Sequence, residues 1–288
     1  MPDGPKSVRH YFALLFENIG YFAQYQNRHS VPKPLILVVN DDGITAPGIR
    51  ALVEAVRPLG EVIVVAPDSP QSGMGHAITI NKPLRLTKAH VFDHLDVASY
   101  HCSGTPADCV KIAVDKVMHR HPDLCVSGIN HGSNSSINVL YSGTMSAAVE
   151  ASLEGIPAAG FSLLDYKMDA DFAAATHFAR LISGQILLNG LPKATLLNVN
   201  IPNLKQEEIK GIKICRQAIA KWEEEYIQRQ DPYGRDYYWL TGNFINHDHG
   251  TDTDEWALAH GYVSVVPVQY DLTAHHGIAY INEAWKMD

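Results

Sequence analysis

The chain has 288 residues, 46% of them hydrophobic and 19% charged, and a formal net charge of −8. Length and composition allow a substantial core, in one large domain or one domain with an appendage. The acidic balance disfavours non-specific binding to nucleic acid or an anionic membrane, which requires basic patches, and no stretch is long and apolar enough to span a bilayer.

Residues 1–34 differ from the rest. Tyr11-Phe12-Ala13-Leu14-Leu15-Phe16 is apolar, but Glu17 and Asn18 interrupt it and no small-residue cleavage site follows, so it does not read as a secretory signal. This N-terminal extension reads equally as an extra helix, a disordered tail or a misassigned start. Pro32 and Pro34 mark a linker, and residues 35–288 are expected to form an α/β domain.

Leu35 to Val39 is an unbroken branched apolar run, the pattern of a strand buried on both faces of a parallel sheet. It stops at Asn40-Asp41-Asp42-Gly43. Two carboxylates therefore follow the carboxyl end of a central strand, where open α/β sheets bind ligands. Adjacent acids raise each other's pKa unless a cation neutralises them, and a divalent metal is the natural cation. Alone, the tetrapeptide reads as well as an Asx-rich turn with solvated carboxylates. Pro47 to Val56 has helical apolar spacing, with Pro47 in its first turn, and Glu61 to Ala66 is a second buried strand. The three make a right-handed βαβ crossover.

A polar loop follows, Pro67 to His76, whose Gly73 and Gly75 permit close approach of backbone to a ligand. Residues 78–80 and 84–86 alternate like exposed strands, and Val97 to His101 is another. Pro106 opens a helix to Met118 with Thr105 as N-cap. Asp123 to Ser127 is a third core strand, running into Gly128-Ile129-Asn130-His131-Gly132-Ser133-Asn134. Ser142-Gly143-Thr144 opens a helix through Glu154. Ala158 to Phe161 and Leu196 to Asn200 complete the sheet, with an amphipathic helix at 171–188 between them. Three strand ends thus deliver polar, Gly-rich loops to one sheet edge. Beyond them, Lys221 to Asn246 is rich in Tyr and Trp around an Asp231-Pro232-Tyr233-Gly234 turn and reads as a long hairpin arm. A short helix at 254–259 and a closing strand at 262–267 follow. The four cysteines, Cys102, Cys109, Cys125 and Cys215, form no C-x-x-C pair. They read as reduced and mostly buried, which suggests a cytoplasm.

The loops together resemble the SurE (survival protein E) family of nucleotidases. The resemblance rests on five motifs in order: Asn40-Asp41-Asp42-Gly43; Ala66-Pro67-Asp68 leading to Ser72-Gly73-Met74-Gly75-His76; Gly104-Thr105-Pro106-Ala107-Asp108-Cys109-Val110; Ser127 through Asn134; and Ser142-Gly143-Thr144. It implies a Rossmann-like three-layer αβα fold with a mostly parallel sheet and a C-terminal β-hairpin arm. It also implies a metal-dependent phosphomonoesterase that acts on nucleoside monophosphates (5′ and also 3′) and short polyphosphate. The family's metal ligands fall on Asp41, Asp42, Ser72 and Asn130, with Asp41, Asp42 and Asn130 as the catalytic set. All four ligands offer oxygen, which suits one Mg²⁺ or Mn²⁺ per subunit, with Ca²⁺ as a further candidate, rather than zinc. One departure stands out: Asn138 occupies a position where many members carry an acid, and an amide accepts no proton.

Around this centre, Asn40 and Asn134 are candidates to position phosphate or an attacking water. Gly73, Gly104, Thr105, Ser142, Gly143 and Thr144 are candidates to bind the phosphate through helix N-termini and glycine loops. His76 either contacts substrate or shapes its loop. Attack by metal-activated water and attack by Asp41 as nucleophile are both open. Two other functions stand beside hydrolysis. One is a metal-dependent nucleotide-binding module without turnover. The other is a dinucleotide-dependent oxidoreductase, disfavoured because Gly73-Met74-Gly75 lacks the third glycine. His247-Asp248-His249 with Asp252 and Asp254 reads as a second metal site or, preferably, as a solvated loop that caps the next helix. The arm's length and aromatic content point to a homodimer or homotetramer built by its exchange.

Overall fold

The computed structural model describes residues 32–167 and 169–286. The N-terminal extension lies outside them, apart from residues 32–34. Strand β1 (Leu35–Val39) is buried along its whole length, as its apolar run demands. It pairs in parallel with β2 (Glu61–Pro67) on one side and β5 (Leu124–His131) on the other. From β1 the chain passes through α1 (Pro47–Val56) to β2; from β5 it passes through α3 (Gly143–Leu153) to β6 (Ala158–Leu163), away from β1. The nine-stranded sheet runs β3 (Leu86–Ala89), β4 (Ala98–Cys102), β2, β1, β5, β6, β7 (Thr195–Ile201), β11 (Val263–Gln269), β8 (Ile212–Ile214). Only β3–β4 and β7–β11 are antiparallel. Because the chain leaves β1 and β5 in opposite directions, their carboxyl ends open a crevice at a topological switch point.

Alternate residues of β1 feed opposite layers. Ile36 and Val38 join a buried cluster with Ile49, Leu52 and Phe178, from α1 and α4 (Ala173–Asn189). Leu35, Leu37 and Val39 join another with Cys109, Val110 and Met145, from α2 (Pro106–Ile112) and α3. The fold is thus the expected Rossmann-like αβα sandwich. Layer contact is tight at α1, where a Cβ on Gly48 would lie 1.9 Å from the Ile129 carbonyl oxygen of β5.

Several expected elements change. Residues 78–80 form no strand, because their backbone serves α2: the Thr79 N–H donates to Asp108 Oδ1 at 3.0 Å, and the Ala77 carbonyl accepts from Thr105 Oγ1 at 2.7 Å. The strand expected at 84–86 lies later, at β3. β5 continues to His131 instead of ending at Ser127, since its ladder to β6 resumes at Asn130↔Ser162 after an irregularity. Helix α2 ends at Ile112 and widens into a π turn at Ala113–Val117. Strand β8 and the C-terminal helix α6 (His275–Ala284) are further elements that hydrophobic patterning does not single out.

The arm is a separate two-stranded ribbon, β9 (Ala220–Gln230) with β10 (Asp236–Asn246), in register from Asp236↔Gln230 to Asn246↔Ala220. Most of its side chains are exposed on a single chain. Helix α5 (Asp254–Ala259) then leads back to the sheet. Among the described residues no helix is long and apolar enough to cross a membrane, and the four cysteines are free and buried.

Candidate active site

Asn40 to Gly43 leave β1 at the switch point. Gly43 adopts φ +96° and Asn40 Nδ2 donates to its carbonyl at 2.9 Å, which closes a tight turn. The turn buries Asp41 and leaves Asp42 partly exposed. Asp41 Oδ1 accepts the Thr144 hydroxyl at 2.6 Å, a distance typical of charge-assisted bonds, and the Thr144 backbone N–H supports the same carboxylate. Ser142 caps α3 by accepting the Met145 N–H at 3.0 Å. The helix starts so close to the acid that a Cβ on Gly143 would lie 2.6 Å from Asp41 Cβ. The positive end of α3 therefore meets a carboxylate.

Burial pushes Asp41 up from an ordinary 3.8 to about 6, against the pull of the Thr144 hydroxyl and with further repulsion from Asp42. Asp42 is raised as well, chiefly by burial, while the nearby His131 and its backbone N–H pull the other way. Among the described residues neither acid has a Lys or Arg partner. Nor do they hold a cluster of three or more His, Cys, Asp or Glu suited to a metal. A cation in this crevice would rest on two carboxylates and neutral oxygens.

Those neutral oxygens are at hand. The Gln71 N–H donates to the Asp41 carbonyl at 2.7 Å and the Ile44 N–H to the Pro67 carbonyl at 3.0 Å, which seats the second loop on the first. Ser72 follows Gln71, exposed and, among the described residues, without a hydrogen-bond partner. Asn130 Nδ2 donates to the Gly132 carbonyl at 2.9 Å, so its Oδ1 is left to accept or coordinate. Asn40 Oδ1 is buried without any partner. The donor set is oxygen throughout and fits a hard divalent cation.

The remaining predicted residues serve structure to different degrees. The Thr105 hydroxyl bonds the Ala77 carbonyl and the Asp108 N–H, and its own N–H goes to Asp108 Oδ2 at 2.9 Å: a capping box that uses up its polar atoms. A Cβ on Gly104 would lie 2.6 Å from both Asp108 Oδ2 and Leu84 Cδ2, so that glycine is needed for packing. Asn134 is buried, with Nδ2 on Ser162 Oγ at 2.8 Å, its N–H on Asn200 Oδ1 at 2.8 Å and its carbonyl accepting from Asn198 Nδ2 at 2.8 Å. His76 turns its Nε2 to Glu150 at 2.8 Å. Asn138 faces the arm: its Oδ1 accepts the Trp222 indole N–H at 2.8 Å. In the acidic loop near the C-terminus, Asp248 and Asp252 are bound by Arg216 at 2.5 and 2.9 Å. Thr253 caps α5, and the buried Asp254 accepts the Ser136 and Ala218 N–H groups at 2.8 and 2.9 Å.

Sequence reasoning missed His131 beside Asp42, the Asn198–Asn200 pair behind Asn134, and Glu150. His131 carried a signal as a member of the Ser127–Asn134 motif, and Glu150 as the one charged residue in Gly143–Leu153.

Fold and site define an α/β protein of the Rossmann-like class with an acidic, oxygen-lined crevice at its switch point. A family model described as Survival protein SurE matches residues 36–224. The chain belongs to the SurE family. It is 66% identical over 256 residues to a 5′-nucleotidase SurE of Christiangramia forsetii, covering 89% of this chain and 98% of that one. A 5′-nucleotidase SurE of Bacteroides fragilis is 49% identical over 85% of this chain and 94% of its own. The crystal structure of the SurE protein from Aquifex aeolicus is similar with a TM-score of 0.76 and 41% identity, over 87% of this chain and 99% of that chain.

Proposed function

We propose that this chain is a metal-dependent 5′-nucleotidase that hydrolyses nucleoside monophosphates to nucleoside and phosphate. The carrying observation is a carboxylate pair, one member buried, that has no Lys or Arg partner among the described residues. A buried uncompensated charge is costly, and two are costlier. A phosphate cannot approach such a pair unless a cation comes with it. The names of relatives up to 66% identical support the substrate class.

Asp41, Asp42, Ser72 and Asn130 hold one Mg²⁺ or Mn²⁺, with Ca²⁺ the less suited alternative. When bound, that ion withdraws charge from phosphorus and lowers the pKa of water. Asp41 is kept ionised and fixed by Thr144, while the N-terminal amide of Gly143 and the loop around Gly73 receive phosphate oxygens. Asn40, whose Oδ1 lacks a partner, orients the attacking water. Thr105 acts from a distance by fixing the loop at Ala77, Gly104 by leaving room for the Asp108 carboxylate that holds Thr79, and Asn134 by fixing the end of the Asn130 loop. The reading extends to 3′-nucleotides and short polyphosphate, to a cytoplasmic protein with reduced cysteines, and to a homodimer or homotetramer joined through the arm.

The test is phosphate release from a panel of nucleoside monophosphates with Mn²⁺, repeated after EDTA and with Asp42→Asn. Metal-dependent release that Asp42→Asn largely abolishes in folded protein is expected. Nucleotide binding without release under every metal condition would overturn hydrolysis in favour of a binding module.

A further inference from the structure

Glu150 lies on α3 and is 4% exposed. Its two oxygens are divided between two cationic or potentially cationic groups: Oε1 accepts Lys111 Nζ at 2.7 Å, and Oε2 meets His76 Nε2 at 2.8 Å. Lys111 lies on α2 and His76 on the loop that carries Ser72, so three elements converge on one buried carboxylate. None of these groups touches Asp41 or Asp42. Glu150 stands seven residues along α3 from Gly143, which at 1.5 Å per residue is about 10 Å from the helix start.

The loop has few other anchors. Gln71 is held by the Asp41 carbonyl, and the Gly75 N–H donates to the Tyr141 carbonyl at 3.1 Å. Ser72, Gly73 and Met74 between them are exposed, and Gly73 and Gly75 adopt positive φ, +74° and +55°. Within 71–76 only His76 fixes the loop to the body of the protein through a side chain; the others use backbone. A segment this mobile by composition holds a hydroxyl at a set place only if both its ends are tied. We propose that His76, Glu150 and Lys111 form a positioning clamp, in which Glu150 seats the glycine loop across α2 and α3 and so fixes Ser72 as a metal ligand. His76 then acts through Ser72 rather than on the substrate. The inference rests on the proposed metal site and names what preorganises its one exposed ligand.

Outer groups that orient a metal ligand typically change metal affinity 10–100-fold when removed. Glutamine carries an N–H donor at nearly the reach of Nε2, so His76→Gln keeps the bond to Glu150 while removing the imidazole. His76→Leu removes both. Mn²⁺ binding to EDTA-stripped protein is measured by calorimetry, with hydrogen exchange of residues 71–76 and circular dichroism alongside. His76→Leu should bind Mn²⁺ about tenfold or more weakly, with faster exchange confined to the loop and an intact fold, and Glu150→Ala should do the same. His76→Gln should stay within about threefold of wild type in Mn²⁺ affinity, kcat and KM. The clamp is overturned if His76→Leu binds Mn²⁺ as wild type does, or if His76→Gln loses kcat while keeping Mn²⁺ affinity, which would make the imidazole a catalytic group. Asp42→Asn in the same titration separates the two readings. If it too leaves Mn²⁺ binding unchanged, the metal site itself fails; if it alone weakens binding, only the clamp fails.

Discussion

Thr144→Val probes the contact that ties α3 to the acidic turn. Valine replaces the hydroxyl with a methyl group at nearly constant volume, so no cavity opens. Thr144 and Asp41 are both buried, and their hydrogen bond is 2.6 Å long. A bond to a charged group contributes about 1.5–3 kcal/mol, against roughly 0.5–1.5 kcal/mol for a neutral pair. The loss should therefore depend on whether Asp41 is ionised. With its acidity near 6, the carboxylate is charged at pH 8 and largely neutral at pH 5. Urea unfolding of metal-stripped protein should give a difference between wild type and Thr144→Val that is larger at pH 8 by about 1 kcal/mol or more. The same loss, at 1.36 kcal/mol per pKa unit, moves Asp41 up by roughly one to two units. Because metal binding needs the ionised form, the acid limb of Mn²⁺ binding and of Mn²⁺-dependent turnover should shift upward by a similar amount. Equal destabilisation at both pH values with an unmoved acid limb would refute the view that Thr144 stabilises an ionised Asp41.

Three further outcomes are expected. Alanine normally favours a helix over glycine by about 0.5–1 kcal/mol, yet Gly143→Ala should lower both thermal stability and Mn²⁺ affinity, since its methyl would meet Asp41 Cβ at 2.6 Å and Oδ2 at 2.8 Å; a stabilised variant with full affinity would show that Asp41 moves aside freely. Metal-stripped protein should lose stability as pH rises, because Asp41 ionises near 6 when folded but near 3.8 when unfolded. That contribution is complete below about pH 4 and gone above about pH 6–7, worth at most about 3 kcal/mol, and saturating Mg²⁺ should reverse the slope; urea titrations at pH 4.5 and 7.5 with and without EDTA measure it. Replacing residues 221–246 by a short Gly-Ser turn should give smaller species by light scattering, because the ribbon exposes Tyr226, Tyr238 and Trp239 by 57–66% on a single chain, and an isolated hairpin has little stability of its own; an unchanged mass would place the arm on its own subunit.

Much of this design is legible in the chain because its signals are local. The run Leu35 to Val39 has no polar residue, so it can sit only at the centre of a parallel sheet, and the turn after it must then lie at a strand's carboxyl end. Thr105 announces its helix because an N-cap needs a short side-chain oxygen and a good first turn, and it caps as expected; Ser142 caps α3 in the same way, where the sequence offers only a helix-opening loop. Residues 78–80 mislead for an opposite reason. Their alternation is real, but the Thr79 N–H is claimed by Asp108 and the carbonyl of the adjoining Ala77 by Thr105, at the start of a later helix. Tertiary hydrogen bonding overrides a two-residue period, and nothing within the segment reports it.

The support around the site escapes sequence reasoning for the same physical reason. Asp41 meets Thr144 across 103 positions, His76 meets Glu150 across 74, and Asn134 meets Asn200 across 66. Pairings over such separations are set by which strands neighbour one another, not by spacing along the chain. A motif announces the atoms that would touch a cation or a phosphate, because chemistry restricts their type. The groups that hold those atoms still are restricted only by reach and charge, so many residue types serve. Asn138 illustrates the difference. As the departure from an acid common in the family it reads as a defect in proton transfer, yet its Oδ1 accepts the Trp222 indole N–H at 2.8 Å, at the root of the arm. An ionised carboxylate could accept that same N–H, but on the segment that joins β5 to α3 it would add a negative charge to a stretch of chain that already meets Asp41 through Thr144. The amide keeps the contact with the arm and adds no charge. Asn138→Asp should therefore retain the Trp222 contact while raising the pKa of Asp42 further, and a pH profile of Mn²⁺ binding displaced upward relative to wild type is the expected result; an unmoved profile would place Asn138 electrostatically outside the site.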